Sequence, residues 1–187
     1  LKSFWDVMKW KMTSKRKEWK SPSHYDSLWP IHGQSKERFK NSLRNQFNIN
    51  KPTLTFINHA SFLIHLDDLV VLTDPIFSRF ASPVSFAGPE RVKASGLKIE
   101  NISAVHVVLI SHNHYDHLDM DSLKSLKKKF DPLFLVPLGD EKLLRKSGIK
   151  KVKSLDWWDQ VKVKDTVITF TPAKHWSARG LWDKNKS

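Results

Sequence analysis

The chain contains no cysteine. Disulfides, thiolate metal sites and cysteine nucleophiles are therefore excluded, and a bound metal has to rely on histidine and carboxylate side chains. The redox compartment stays open, because a protein without thiols tolerates any. Also missing is an apolar run of about 18 residues or more, the length a membrane-spanning helix requires. No signal-peptide pattern follows Leu1. No internal repeat or low-complexity tract is found. The chain opens on Leu1 rather than methionine and ends Gly180-Leu181-Trp182-Asp183-Lys184-Asn185-Lys186-Ser187. Both ends read as interruptions, so a longer product is expected.

What is present suits a globular domain. The length of 187 residues and a 40% hydrophobic share allow one domain with a substantial core. Lys and Arg number 32 against 19 Asp and Glu, a formal charge of +13. That excess favours polyanions: a phospholipid surface, nucleic acid or a phosphorylated substrate. A solvated basic surface with no specific partner accounts for it equally well.

Residues 1–34 differ from the rest. Trp5, Trp10, Trp19 and Trp29 alternate with Lys9, Lys11, Lys15, Arg16, Lys17 and Lys20, and Pro22 and Pro30 interrupt any long helix. Tryptophan with lysine suits a membrane interface. The apolar positions keep no helical period, which favours an irregular arm packed on a domain. The organisation expected is this basic, Trp-rich arm over 1–34 and a single domain over 35–187. In residues 35–47, Phe39, Leu43 and Phe47 recur every four positions behind Ser35, the pattern of a short capped amphipathic helix.

From Thr53 the pattern turns to β. Thr53–Ile57, Ser61–Leu66 and Leu69–Thr73 read as strands, with Asp67-Asp68 as a tight turn. Residues 75–101 hold Pro75, Pro83, Gly88, Pro89 and Gly96 and read as a long loop, which in a compact domain is often functional. Ala104–Ile110 is nearly all apolar and suits a buried central strand. Met120, Leu123, Leu126 and Phe130 have helical spacing, followed by a strand at Leu133–Val136, a helix at Asp140–Lys146 ended by Gly148, and strands at Val152–Leu155, Val161–Val163 and Val167–Thr171. Strands and helices alternating around a buried strand predict an α/β layered domain. Trp157 and Trp158 are expected in its core, and His65 and His106 as packing or surface residues.

Chemistry concentrates in Ser111-His112-Asn113-His114-Tyr115-Asp116-His117-Leu118-Asp119. Three histidines and an aspartate fall within six residues, directly after the apolar strand. A sharp loop there turns several of these side chains into one space. Neutral imidazole and carboxylate are good ligands for zinc and similar divalent ions, and this spacing can feed two adjacent metals. The helix that follows directs its N-terminus to the same region, which favours anions. A single histidine would read as a solvated loop residue, but four such groups together read as a metal site.

His112-x-His114-x-Asp116-His117 resembles the signature of the metallo-β-lactamase superfamily. The flanks narrow the resemblance. Phe56–Ile64, Leu72-Thr73-Asp74-Pro75-Ile76-Phe77-Ser78, Ser82-Pro83-Val84, Gly88-Pro89-x-Arg91 and Ile110–Asp119 are similar to the branch that contains the N-acylphosphatidylethanolamine-hydrolysing phospholipases D. Ascorbate-6-phosphate lactonases are its cousins. The similarity runs from about Thr53 to Trp182. It implies an αββα sandwich, of which this chain is largely the first αβ half. A metal-bridging aspartate and a last histidine belong to the second half and lie outside this sequence.

Residue by residue, the resemblance implies that His112, His114 and His175 hold a first zinc, and that Asp116 and His117 hold a second. Asp116 would also orient the attacking water. Asp74 either orients a ligand by hydrogen bond or only forms the turn before Pro75. His59 lies near the same edge and is assigned no ligand role. Asn58 stands where glycine is common, at some conformational cost.

The implied activity is hydrolysis of a phospholipid phosphodiester by a metal-bound hydroxide, with phospholipase D-type cleavage of N-acylphosphatidylethanolamine. A lactonase of a phosphorylated sugar and a non-catalytic metal-binding fragment are the alternatives. The partner implied is a phospholipid or small anionic substrate; the Trp and Lys of residues 1–34 leave peripheral contact with an anionic membrane as the second reading of that arm, and the setting expected is cytoplasmic. Nucleic acid is not expected, because Leu72–Pro75 and Gly88-Pro89 belong to the lipase and lactonase branch rather than to tRNA-processing nucleases.

Overall fold

The computed structural model describes residues 52–84, 86–91, 95–175 and Arg179. The expected arm over 1–34 and helix over 35–47 lie outside them. Branched and aromatic residues build three strands first: β1 (Thr53–Asn58), β2 (Ser61–Leu66) and β3 (Leu69–Thr73). They pair antiparallel in sequence, Thr55 opposite Leu63 and Ile64 opposite Val71. Asp67, with φ of 47°, makes the tight turn between β2 and β3, a left-handed conformation aspartate tolerates.

Three parallel strands extend the sheet: β4 (Val107–Leu109), β5 (Leu133–Pro137) and β6 (Val152–Leu155). The order is β1-β2-β3-β4-β5-β6. Parallel neighbours need crossovers: helices α1 (Met120–Phe130) and α2 (Glu141–Lys146) lie in those from β4 to β5 and from β5 to β6, and the long connection 74–106 makes the one from β3 to β4. The apolar period of α1 buries Leu123 and Leu126, and Asp131 ends the helix in a left-handed turn with φ of 45°. Full burial of each such leucine contributes about 1.5–3 kcal/mol. Gly148, with φ of 85°, stands just past α2, where only glycine adopts that conformation without strain.

The sheet's alternation divides its residues between two layers. Leu69, Val71, Val107, Leu135 and Leu155 form one buried cluster, and Val161, Val163, Ile168 and Phe170 pack against it. Val161, Val163 and Ile168 come from a separate antiparallel hairpin, β7 (Gln160–Val163) and β8 (Thr166–Thr169), and Phe170 follows its second strand. Val108, Phe134 and Val136 are fully buried on the alternate positions, which leaves the helices to cover that face. This is the mixed α/β layered fold the sequence implies.

Two expectations are corrected. Trp157 and Trp158 are not core residues: they are 64% and 66% exposed. They occupy the turn between β6 and β7, where Trp158 has a left-handed φ of 70° and its N–H donates to the Phe170 carbonyl at 2.7 Å. The packing role falls to the hairpin's valines, Ile168 and Phe170 instead. Asn58 carries no left-handed strain either. The positive φ, 39°, belongs to His59, and the Asn58 side chain donates to Ile76 O at 3.0 Å and Ser95 Oγ at 2.9 Å. Among the described residues no helix is long and apolar enough to cross a membrane.

Candidate metal centre

Strands β1, β3 and β4 run the same way, so their C-terminal ends share one edge of the sheet. His59, Asp74 and the loop Ser111–Leu118 follow those three ends. The Asp74 N–H donates to Leu109 O at 2.8 Å, and the Ile110 N–H donates to Leu135 O at 2.9 Å, which anchors both chains before they leave the sheet. Beyond Ile110 the loop folds on itself. The N–H groups of His117 and Leu118 both donate to His114 O, at 3.1 and 2.8 Å, and fully buried Leu118 fixes its far end. Arg179 braces the loop by donating to Asn113 O at 3.0 Å and Leu118 O at 2.7 Å, with its guanidinium 4.1 Å over the Tyr115 ring.

This loop brings the predicted residues together in two groups. His112, His114 and His175 form one, and Asp116 and His117 form the other with His59. Within each group the candidate ligand atoms all lie within 4.8 Å of one another. His112 Nε2 is 2.9 Å from His114 Nδ1, and the His175 ring stands 4.6 Å from that of His112 and 5.1 Å from that of His114. The groups adjoin: the rings of His112 and His117 are 4.0 Å apart. Convergent imidazoles with carboxylate support are the donor set divalent zinc or iron takes, so the residues fit a metal centre.

Asp74 is buried beneath both groups. Its Oδ2 accepts from His117 Nδ1 at 2.8 Å and from Ser111 Oγ at 2.7 Å, and its Oδ1 accepts from the Ser111 N–H at 2.7 Å. Ser111 Oγ in turn lies 2.9 Å from His112 Nδ1. Hydrogen bonds on these Nδ1 atoms leave the Nε2 lone pairs turned outward, as a metal requires.

The electrostatics differ between neighbours. Burial, then the adjacent His117, His114 and His175, pull the His112 pKa from the ordinary 6.5 down to about 4. Burial also lowers His114. At His117 burial works downward too, but the hydrogen bond and charge of Asp74, with Asp116, outweigh it and raise the pKa.

Sequence reasoning gave no role to His59 or Arg179. His59 Nε2 is 3.1 Å from Asp116 Oδ2 and 3.3 Å from His117 Nε2. Arg179 lies 61 residues beyond Leu118, too distant in sequence for any local pattern to link them. His65 is buried within β2, and His106 accepts the Val70 N–H on its Nδ1 at 2.9 Å, so neither joins the site.

The blocks flanking the loop serve the same edge. Arg91 donates to Ile76 O and Ser78 O, both at 2.7 Å, which folds the Gly-Pro-x-Arg block back on the Asp-Pro-Ile-Phe block. Gly88 permits that approach: a Cβ there would stand 2.5 Å from Ser82 Cβ.

The profile of the β-lactamase superfamily domain matches residues 70–187. The chain is 40% identical over 123 residues to the mitochondrial N-acyl-phosphatidylethanolamine-hydrolyzing phospholipase D of Saccharomyces cerevisiae, covering 64% of this chain and 26% of that one. It is 32% identical over 170 residues to N-acyl-phosphatidylethanolamine-hydrolyzing phospholipase D 1 of Caenorhabditis elegans, covering 86% and 46%. The chain thus spans from about a quarter to just under half of these curated relatives. Among solved structures, Igni18, a metallo hydrolase from Ignicoccus hospitalis, superposes with a TM-score of 0.51 at 22% identity, over 67% of this chain and 50% of that one. CmlA, a diiron β-hydroxylase from Streptomyces venezuelae, gives 0.51 at 17% identity, over 71% and 29%. At such identities the likeness concerns the fold alone.

Proposed function

The chain belongs to the β-lactamase superfamily, and from that premise we propose that it carries the metal-binding part of a hydrolase that cleaves the phosphodiester of N-acylphosphatidylethanolamine or a related lipid in the phospholipase D manner. The observation that carries the reading is the convergence of His112, His114 and His175, drawn from two distant segments, beside Asp116 and His117. Identity of 32–40% to two phospholipases D of that specificity supports the substrate class.

His112, His114 and His175 would hold one divalent ion, and Asp116 and His117 would contribute to a second. Zinc is the expected metal, with iron the competitor. Such ions, when bound, would supply a water with its pKa lowered to about 7 and a Lewis acid for a phosphoryl oxygen. The chain's own residues prepare that chemistry. Burial keeps His112 neutral, so its lone pair is available at neutral pH. Asp74 holds His117 by Nδ1 and Ser111 by Oγ, which fixes the loop's ring orientations. The Asp116 carboxylate, 44% exposed, would orient the attacking water. The +13 charge favours an anionic phospholipid surface as the place of reaction.

The test is metal content together with turnover. Paired His112→Ala and His114→Ala substitutions should remove bound metal while far-UV circular dichroism stays unchanged. Unchanged metal content would end the reading. Release of phosphatidic acid from N-acylphosphatidylethanolamine, assayed beside a phosphorylated sugar lactone and RNA, decides the substrate. Turnover of the lactone alone would replace the lipid assignment with the lactonase alternative.

A further inference from the structure

His59 stands with Asp116 and His117 in the second group of candidate ligand atoms. We propose that His59 binds the second cation together with Asp116 and His117, giving a two-histidine, one-carboxylate site with open coordination positions. The inference rests on the metal-centre reading and extends it, since Asp116 and His117 alone make a weak pair.

The turn that presents His59 is held from several sides. Asn58 donates to Ile76 O and Ser95 Oγ, the Gly96 N–H donates to Ile57 O at 3.0 Å, and Thr73 Oγ1 donates to Ala60 O at 2.8 Å. The Phe62 N–H donates to Thr73 Oγ1 at 3.0 Å. So fixed, the chain puts His59 in a left-handed conformation, φ 39°, uncommon for residues other than glycine though histidine tolerates it better than most. Local strain of this kind persists where the surroundings over-determine it, and here the outcome is a ring aimed along the edge toward the loop.

Chemistry supports ligation over simple pairing. His59 Nε2 meets both Asp116 Oδ2 and His117 Nε2, at 3.1 and 3.3 Å, so two nitrogens and one oxygen share a small space. Distances near 3 Å between donor atoms are those of ligands around one ion about 2 Å from each. His117 is held on its far nitrogen by Asp74, the arrangement that orients a metal-bound imidazole. His59 is the most exposed of the three, which leaves the solvent side free for water or substrate. Two histidines and a carboxylate with open positions suit zinc in hydrolases and ferrous iron.

The experiment is metal counting on the 187-residue chain, by equilibrium dialysis with zinc and by cobalt absorption spectra. The variants are His59→Asn and His59→Gly, which both tolerate a positive φ and so keep the turn. The expected result is two ions on the unaltered chain and one on each variant, with the cobalt bands of the remaining site intact and removed only by His112→Ala. Two ions on every form, with unchanged affinity, would overturn the role of His59 while leaving the metal centre standing. A single ion on the unaltered chain, lost with His112→Ala, would do the same. No ion on any form would overturn both.

Discussion

The buried Asp74 carboxylate accepts a hydrogen bond from His117 Nδ1–H on its Oδ2 at 2.8 Å. This one bond joins the end of β3 to the loop after β4 and selects which nitrogen of His117 faces outward. Loss of such an orienting partner typically weakens metal binding about 10–100-fold. Asp74→Asn should show that loss in a competitive chelator titration. Asparagine accepts the left-handed φ of 35° at this position, so the backbone is not the cause. An unchanged affinity would reduce Asp74 to a turn residue.

The pH behaviour of the metal-free chain follows from His112. Its folded pKa is lowered to about 4 from 6.5, so between those values the unfolded chain binds the proton and the folded chain does not. Its contribution to stability is complete above about 6.5 and is lost as pH falls toward 4. His114 acts in the same direction. The raised pKa of His117 has the opposite sign: its contribution is present at low pH and is lost as pH rises through the folded value. Ring nitrogen chemical shifts should therefore show His117 titrating above the ordinary histidine value and His112 well below it. The reverse order would contradict the Asp74 pairing.

Arg179 offers a test of how the loop is held. Arg179→Ala removes the donor to two loop carbonyls, those of Asn113 and Leu118. Leaving such acceptors without a charged donor costs about 1–3 kcal/mol. Urea unfolding should register that loss, and metal affinity should fall with it. A change in stability with affinity intact would assign Arg179 to the fold alone.

The core admits a plainer measurement. Phe134 is fully buried in β5. Phe134→Ala should destabilise the chain by about 3–5 kcal/mol through lost burial and the cavity left behind. A loss below about 1 kcal/mol in urea unfolding would mean that β5 is not central.

Local pattern revealed what local physics determines. Runs of branched and aromatic residues marked β1 to β3, and the helical spacing of Met120, Leu123, Leu126 and Phe130 marked α1, which buries Leu123 and Leu126. The strand expected at Ala104–Ile110 is shorter as Val107–Leu109, yet its ladder begins earlier, where the His106 N–H donates to Val70 O at 2.9 Å. His112, His114, Asp116 and His117 were legible because they crowd one short stretch. His175 required the family resemblance, and His59 and Arg179 emerged only from the tertiary arrangement that brings distant turns to one edge. Trp157 and Trp158 misled because large aromatic residues usually fill interiors, whereas here both sit exposed in a turn with Trp158 left-handed.

On the proposed ligation, a cation between His59 and His117 ties positions 58 residues apart in the chain. It then behaves as a removable cross-link, and the resistance of the protein to heat becomes a property of the medium as well as of the sequence, rising with the logarithm of free metal. Material stripped by a chelator and material grown in metal-rich broth would melt at different temperatures while sharing every residue.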